Sequence, residues 1–205
     1  MKKLTPSVRN TFWKNEIVMV ALAVILSRIA VLLLGWLFYR MRVPEGTLQS
    51  FYEWLIQAGD VPHFLHIAEY GYSVGDEYQN LLVFYPLFPA AIRLFSYIFG
   101  NYYAAGMVVS NLSAVVGACF LYKLIRLDYS KQVAGDTVLF FILYPFSLFL
   151  SYCYTESLFL MLCIMCAYFA RRSKWVWCGI TGFLAALCRN QGVIMFGVAA
   201  YEYVV

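Results

Sequence analysis

The run Asp60-Val-Pro-His63-Phe-Leu-His66-Ile-Ala-Glu69-Tyr-Gly71-Tyr72 holds the densest patch of titratable side chains in a chain that is otherwise mostly hydrocarbon. A carboxylate followed closely by imidazoles suits proton transfer: a base can relieve a hydroxyl of its proton as the oxygen attacks, if the two come within hydrogen-bond distance. Two later runs add complementary chemistry, Tyr154-Thr155-Glu156 and Arg189-Asn190-Gln191-Gly192. A guanidinium where a helix meets the membrane surface can grip a phosphate bidentately and stabilise charge gathering on a leaving group. Asp60, Glu156 and Arg189 are therefore the residues around which a group-transfer site would be built.

The elements that must position them lie in a membrane. The 205 residues are 63% hydrophobic and 19% aromatic with only 13% charged, too few charges to cover a soluble surface. The net charge of +4 is modest and is read through its placement along the chain; it is no nucleic-acid footprint. The cysteines fall in or at the ends of apolar segments, and Cys163-x-x-Cys166 has no redox-fold context, so they read as packing residues. Residues 1–16, with Lys2, Lys3, Arg9 and Lys14, form a basic arm that the positive-inside rule assigns to the cytoplasm, and 17–205 form the membrane domain. Ile17 to Tyr39 spans. It carries Arg28 near its middle, where a charge costs roughly 2.5–3.5 kcal/mol and must face protein or water. Neighbouring helices are expected to satisfy it, ahead of an anionic lipid phosphate.

Residues 40–100 are read as the first extracytoplasmic loop with a re-entrant segment. Leu48, Phe51, Tyr52, Leu55 and Ile56 make one face of a short surface helix. Gly59 breaks it, Pro62 opens a second helix, and Gly71 ends that one. Leu81 to Gly100 is long enough to span but is broken at Tyr85-Pro86-Leu-Phe-Pro89. Counting it as re-entrant or interfacial makes the loops with Lys123, Arg126 and Lys131 and with Arg171, Arg172 and Lys174 cytoplasmic, despite Arg40 and Arg42 on the outer flank. Tyr102 to Leu124, Val133 to Leu150, Ser157 to Ala170, Trp175 to Cys188 and the stretch from Val193 then bring the total to about six spanning helices. In that arrangement Asp60, Glu156 and Arg189 share the non-cytoplasmic face with acids that include Asp76 and Glu77. The final apolar segment has no polar stop after it, so the chain reads as shortened at its C-terminus.

The runs Asp60-x-x-His63-Phe-Leu-x-Ile67-Ala68-x-x-Gly71-Tyr72, Phe84-x-Pro86-Leu-Phe-Pro89-x-x-x-Arg93, Ser110-Asn111-Leu, Tyr154-Thr155-Glu156-Ser157 and Arg189-Asn-Gln-Gly192 resemble, in order and spacing, those of the PIG-V-like mannosyltransferases. The resemblance implies an all-α polytopic membrane protein of GT-C-like fold, with the catalytic acid in its first extracytoplasmic loop. It also implies a polyprenyl-phosphate sugar donor, typically of mannose, and an acceptor that is a glycan, a lipid or a protein. No cofactor is implied. Asp60 would be the base of an inverting displacement. His63, Tyr72, Phe84, Tyr85, Tyr154, Glu156, Arg189 and Gln191, all in the matching runs, would contact substrate. Two departures stand out: Gly59 occupies a position where an aromatic often precedes the acid, and the family is typically much longer.

Each residue also has a plainer reading. Behind its catalytic reading, Asp60 has a plainer one as the cap of the helix opened by Pro62. His63 and His66 are three apart, a weaker metal pair than four apart with a third ligand, so no metal is expected; His66, outside the matching positions, reads as an interface residue. Arg189 could simply snorkel to head groups. Glu156 either binds sugar hydroxyls or orients Arg189, and with Thr155 it would look the same as an N-cap pair. Phe84, Tyr85 and Phe88 either stack on a sugar or pack. Two other classes compete: a transporter using Arg28, Pro145 and the break at Pro86 as a path, and a non-catalytic subunit docked to a membrane-protein partner.

Overall fold

The computed structural model describes residues 6–72 and 79–204, with side chains from residue 15 onward except those of 79 and 80. Lys2 and Lys3 of the expected arm, and Asp76 and Glu77 of the expected outer acids, lie outside the described residues. Among the described residues there is no strand. The helices are α1 (Pro6–Arg42), α2 (Leu48–Ile56), α3 (Val61–Tyr70), α4 (Leu87–Phe99), α5 (Tyr102–Ile125), α6 (Lys131–Leu143), α7 (Glu156–Arg171), α8 (Trp175–Cys188) and α9 (Met195–Val204), with 3₁₀ turns at Gln79–Val83, Pro145–Leu150 and Asn190–Ile194. α1 runs back through much of the expected arm to Pro6, a residue whose missing N–H costs nothing in a first turn.

Among the described residues two helices, Asn15–Arg42 and Tyr102–Ile125, are long and apolar enough to cross a membrane. On α1 Leu22, Leu26, Ile29, Leu33 and Leu37 are exposed, an apolar stripe of the kind that faces lipid. The other segments expected to span are shorter. α7, the longest of them, has 16 residues and rises about 24 Å, less than the ~30 Å of a hydrocarbon core. α4, within the expected re-entrant segment, has 13 residues.

The expected continuous helix from 133 to 150 is not continuous. Pro145 disfavours helical geometry at the residue before it, and Tyr144 is accordingly extended (φ −56°, ψ 135°), so α6 ends at Leu143 and a 3₁₀ turn follows. The break frees carbonyls inside the protein, and Arg28 takes them. Arg28 is 3% exposed, and its guanidinium donates to Ser147 O at 2.6 Å and Ile142 O at 3.0 Å. The Ser147 hydroxyl adds a second bond to Ile142 O. Neighbouring segments thus satisfy Arg28, as expected: both Nη groups go to protein carbonyls and Nε to the Ser27 hydroxyl at 3.2 Å.

α5 is the hub, packed against α1, α4, α6 and α7. Most of its buried residues are small (Ala105, Gly106, Ser110, Ser113, Ala114, Gly117 and Ala118), with Tyr103, Val109 and Tyr122 beside them. Small residues let helices approach closely where burial from water is not the driving force. A Cβ on Gly117 would lie 3.2 Å from the Met161 backbone of α7. The two loop helices dock on this bundle. α2 opens with a reciprocal Thr47–Ser50 cap and buries Phe51 against Trp36 and Tyr39 of α1, with ring centres 5.4 and 5.3 Å apart; Leu48, expected on the same stripe, is exposed. α3 buries Val61, Phe64, Ile67 and Ala68, Phe64 lying edge-on to the fully buried Phe88 of α4.

Candidate functional site

The turn between α2 and α3 presents Asp60. Gly59 adopts φ +55°, a left-handed conformation that side chains resist, and the chain then turns into α3 with Pro62 in its first turn. Asp60 holds the N-cap position, yet its side chain makes no cap hydrogen bond. The exposed carboxylate is therefore not occupied by the local role that its position allows.

Glu156 is the first residue of α7, and Arg189 follows the last residue of α8 in extended geometry (φ −153°, ψ 149°). Gly192 keeps the next turn tight against α8, because a Cβ there would collide with the Ala185 carbonyl. Arg189 Nη1 donates to Glu156 Oε1 at 2.6 Å and to Thr155 Oγ1 at 3.0 Å, and the guanidinium lies 5.9 Å from the Phe159 ring centre. Both members of the ion pair are about one-third exposed, at 34% and 33%, so water screens the attraction and geometry is its main product. Glu156 Oε2 is buried and has no hydrogen-bond partner. Thr155, which sequence offers as a helix cap, makes no cap bond and accepts from Arg189 instead.

These groups open on one pocket of about 250 Å³, lined by Asp60, Phe84, Tyr85, Tyr154, Glu156, Arg189 and Gln191 together with Phe64, Val83, Thr155, Cys188 and Asn190. All of the sequence-derived site residues line it except His63 and Tyr72. Those two stand behind Phe84. The His63 ring lies 5.2 Å from the Phe84 ring, and the Tyr72 hydroxyl donates to Phe84 O at 2.6 Å; burial raises the Tyr72 phenol above its usual range, so it stays a donor. His66 packs on Tyr70. Among the described residues no three His, Cys, Asp or Glu side chains come together as metal ligands.

Support for the Tyr154–Glu156 segment comes from α5, and sequence reasoning assigned it no role. Ser110 Oγ donates to Tyr154 O at 3.0 Å, and Asn111 Nδ2 donates to Ser151 O at 2.8 Å. Ser110 and Asn111 stand in one of the runs that carry the family resemblance, which marked the pair without giving it a role.

The family model for Mannosyltransferase (PIG-V) matches residues 41–204, and the chain belongs to that family. Among curated proteins it is similar to GPI mannosyltransferase 2 of Drosophila melanogaster, 26% identical over 162 residues that make up 70% of this chain and 34% of that protein. The chain thus spans about a third of the length of this relative. No solved structure matches it.

Proposed function

We propose that the chain carries the transfer site of a membrane mannosyltransferase. In this reading mannose moves, with inversion, from polyprenyl-phosphate mannose to an acceptor hydroxyl on a glycan, a lipid or a protein at the extracytoplasmic face. The observation that carries it is the meeting, in one pocket, of a carboxylate free of its capping role with an arginine–glutamate pair.

The chemistry asked of each group is simple. The acceptor oxygen attacks the anomeric carbon, Asp60 takes its proton, and the bond from that carbon to the phosphate oxygen breaks on the opposite face. The electron pair leaves on the polyprenyl phosphate. Arg189 uses Nη1 for Glu156 and Thr155, which leaves Nε and Nη2 for the phosphate. Glu156 fixes the guanidinium through Oε1. Phe84 and Tyr85 offer ring faces to the sugar, with His63 and Tyr72 holding Phe84 from behind, and Gln191 supplies an amide.

For orientation, the N-terminus is cytoplasmic, α2 to α4 lie at the outer surface, and the basic loops after α5 and α7 are inside. The chain acts with membrane lipids around it and, through its exposed apolar helices, has room for a membrane-protein partner.

The test is to incubate membranes containing the protein with labelled polyprenyl-phosphate mannose. Label is expected to reach an acceptor, and Asp60→Ala to lower the rate by roughly 10²- to 10⁴-fold, the usual worth of a positioned base. An unaltered protein that moves no label, or an Asp60→Ala variant as active as its parent, rejects the reading.

A further inference from the structure

We infer that Tyr154 is a positioning residue: a strut between α5 and the α2–α3 turn that sets where the Asp60 carboxylate stands relative to Glu156 and Arg189. Its kinetic consequences rest on the transfer reading above.

Both ends of the residue are tied. Its hydroxyl donates to Ala58 O at 3.2 Å, two residues before Asp60. Its own carbonyl accepts from Ser110 Oγ, a side chain fully buried on α5. Between these ends the ring lies edge-on to Phe149, centres 5.2 Å apart, and the backbone N–H turns back to Tyr152 O at 2.8 Å. The turn on the receiving side is shaped to admit the phenol. A Cβ on Gly59 would sit 2.5 Å from the Tyr154 hydroxyl oxygen, so a side chain at 59 and this contact exclude one another.

Along the chain, Glu156 lies only two residues beyond Tyr154. A single residue therefore links α5, the base-bearing turn and the glutamate–arginine pair. Burial, and then the nearby Asp60 and Glu156 charges, push the phenol above its ordinary range. It stays protonated at neutral pH and remains a donor to Ala58. A hydroxyl already committed to a backbone carbonyl is poorly placed to recognise a sugar, whereas displacing a catalytic group by ~1 Å can cost about 10²-fold in rate.

Two variants test this in membranes containing the full chain. Tyr154→Phe keeps the ring that lines the pocket and removes only the hydroxyl; Ser110→Ala cuts the other tie. Each is expected to lower kcat by about 10-fold or more with both KM values within about two-fold of the parent, and the double variant to fall short of the product of the two effects, because both act through one strut. A raised donor or acceptor KM at unchanged kcat would make Tyr154 a substrate contact and overturn the strut, as would unaltered kinetics.

A second arm needs no activity. In Asp60→Cys/Gln191→Cys protein, a short bifunctional thiol reagent should bridge the pair, and adding Tyr154→Phe should lower the yield several-fold. Equal yields overturn the strut. If the parent transfers no mannose, the transfer reading fails and the bridging yields still decide the strut.

Discussion

Asp60 sits where a capping aspartate would sit and does not cap; Glu156 sits at a helix start and spends one oxygen on an arginine. Those two departures from local habit are what set the pocket apart from ordinary helix ends. Their meeting was legible beforehand, because Asp60, Glu156 and Arg189 each fall at a helix end and charge counting put those ends on one face. The parts of His63 and Tyr72 were not legible. Sequence gives their neighbours in the chain but not which way a ring turns, and both turn toward Phe84 from outside the pocket. Arg189→Lys is the informative change at this scale. It keeps the charge but loses the planar fork that reaches Thr155 and Glu156 and, in the proposed transfer, has donors left for a phosphate. kcat/KM for the labelled donor is expected to fall at least about 10-fold, the cost of roughly one charged hydrogen bond, in the same membrane assay.

α8 keeps the limits Trp175–Cys188 that hydropathy suggested, and Asn101 caps α5 through a bond from Ala104 N–H. α6 does not keep its expected limits. A hydropathy reading carries the apolar run straight through Pro145, since it does not register a missing N–H or the extended residue that a proline imposes before it. Arg28 makes that break tolerable in an apolar setting, where unpaired carbonyls are expensive. Arg28→Met should therefore destabilise the bundle by a few kcal/mol, from two charged hydrogen bonds worth about 1.5–3 kcal/mol each. Ser147→Ala should cost about 1 kcal/mol, because Ile142 O keeps Arg28 as a donor. Thermal unfolding in detergent measures both; an Arg28→Met midpoint no lower than that of Ser147→Ala would refute the assignment.

Across the whole molecule, α7 joins two chemically different ends. Glu156 and the pocket stand at one. At the other, Arg171 makes a two-pronged contact to Asp128 at 2.7 and 2.8 Å and a further one to Glu202 at 3.3 Å, amid the basic residues of the loops after α5 and α7. The proposed orientation, with the basic loops in the cytoplasm, has a direct check. A lone cysteine at Ser130, in protein with its native cysteines replaced, should react with an impermeant thiol reagent only after cells are opened; reaction in intact cells would reverse the orientation. The Arg28 contacts have a further consequence for biosynthesis. Its acceptors at Ile142 and Ser147 lie 114 and 119 residues downstream, so the first segment leaves the ribosome long before the carbonyls that neutralise its burden exist. Until they arrive, the translocon or a chaperone must shelter a stranded cation.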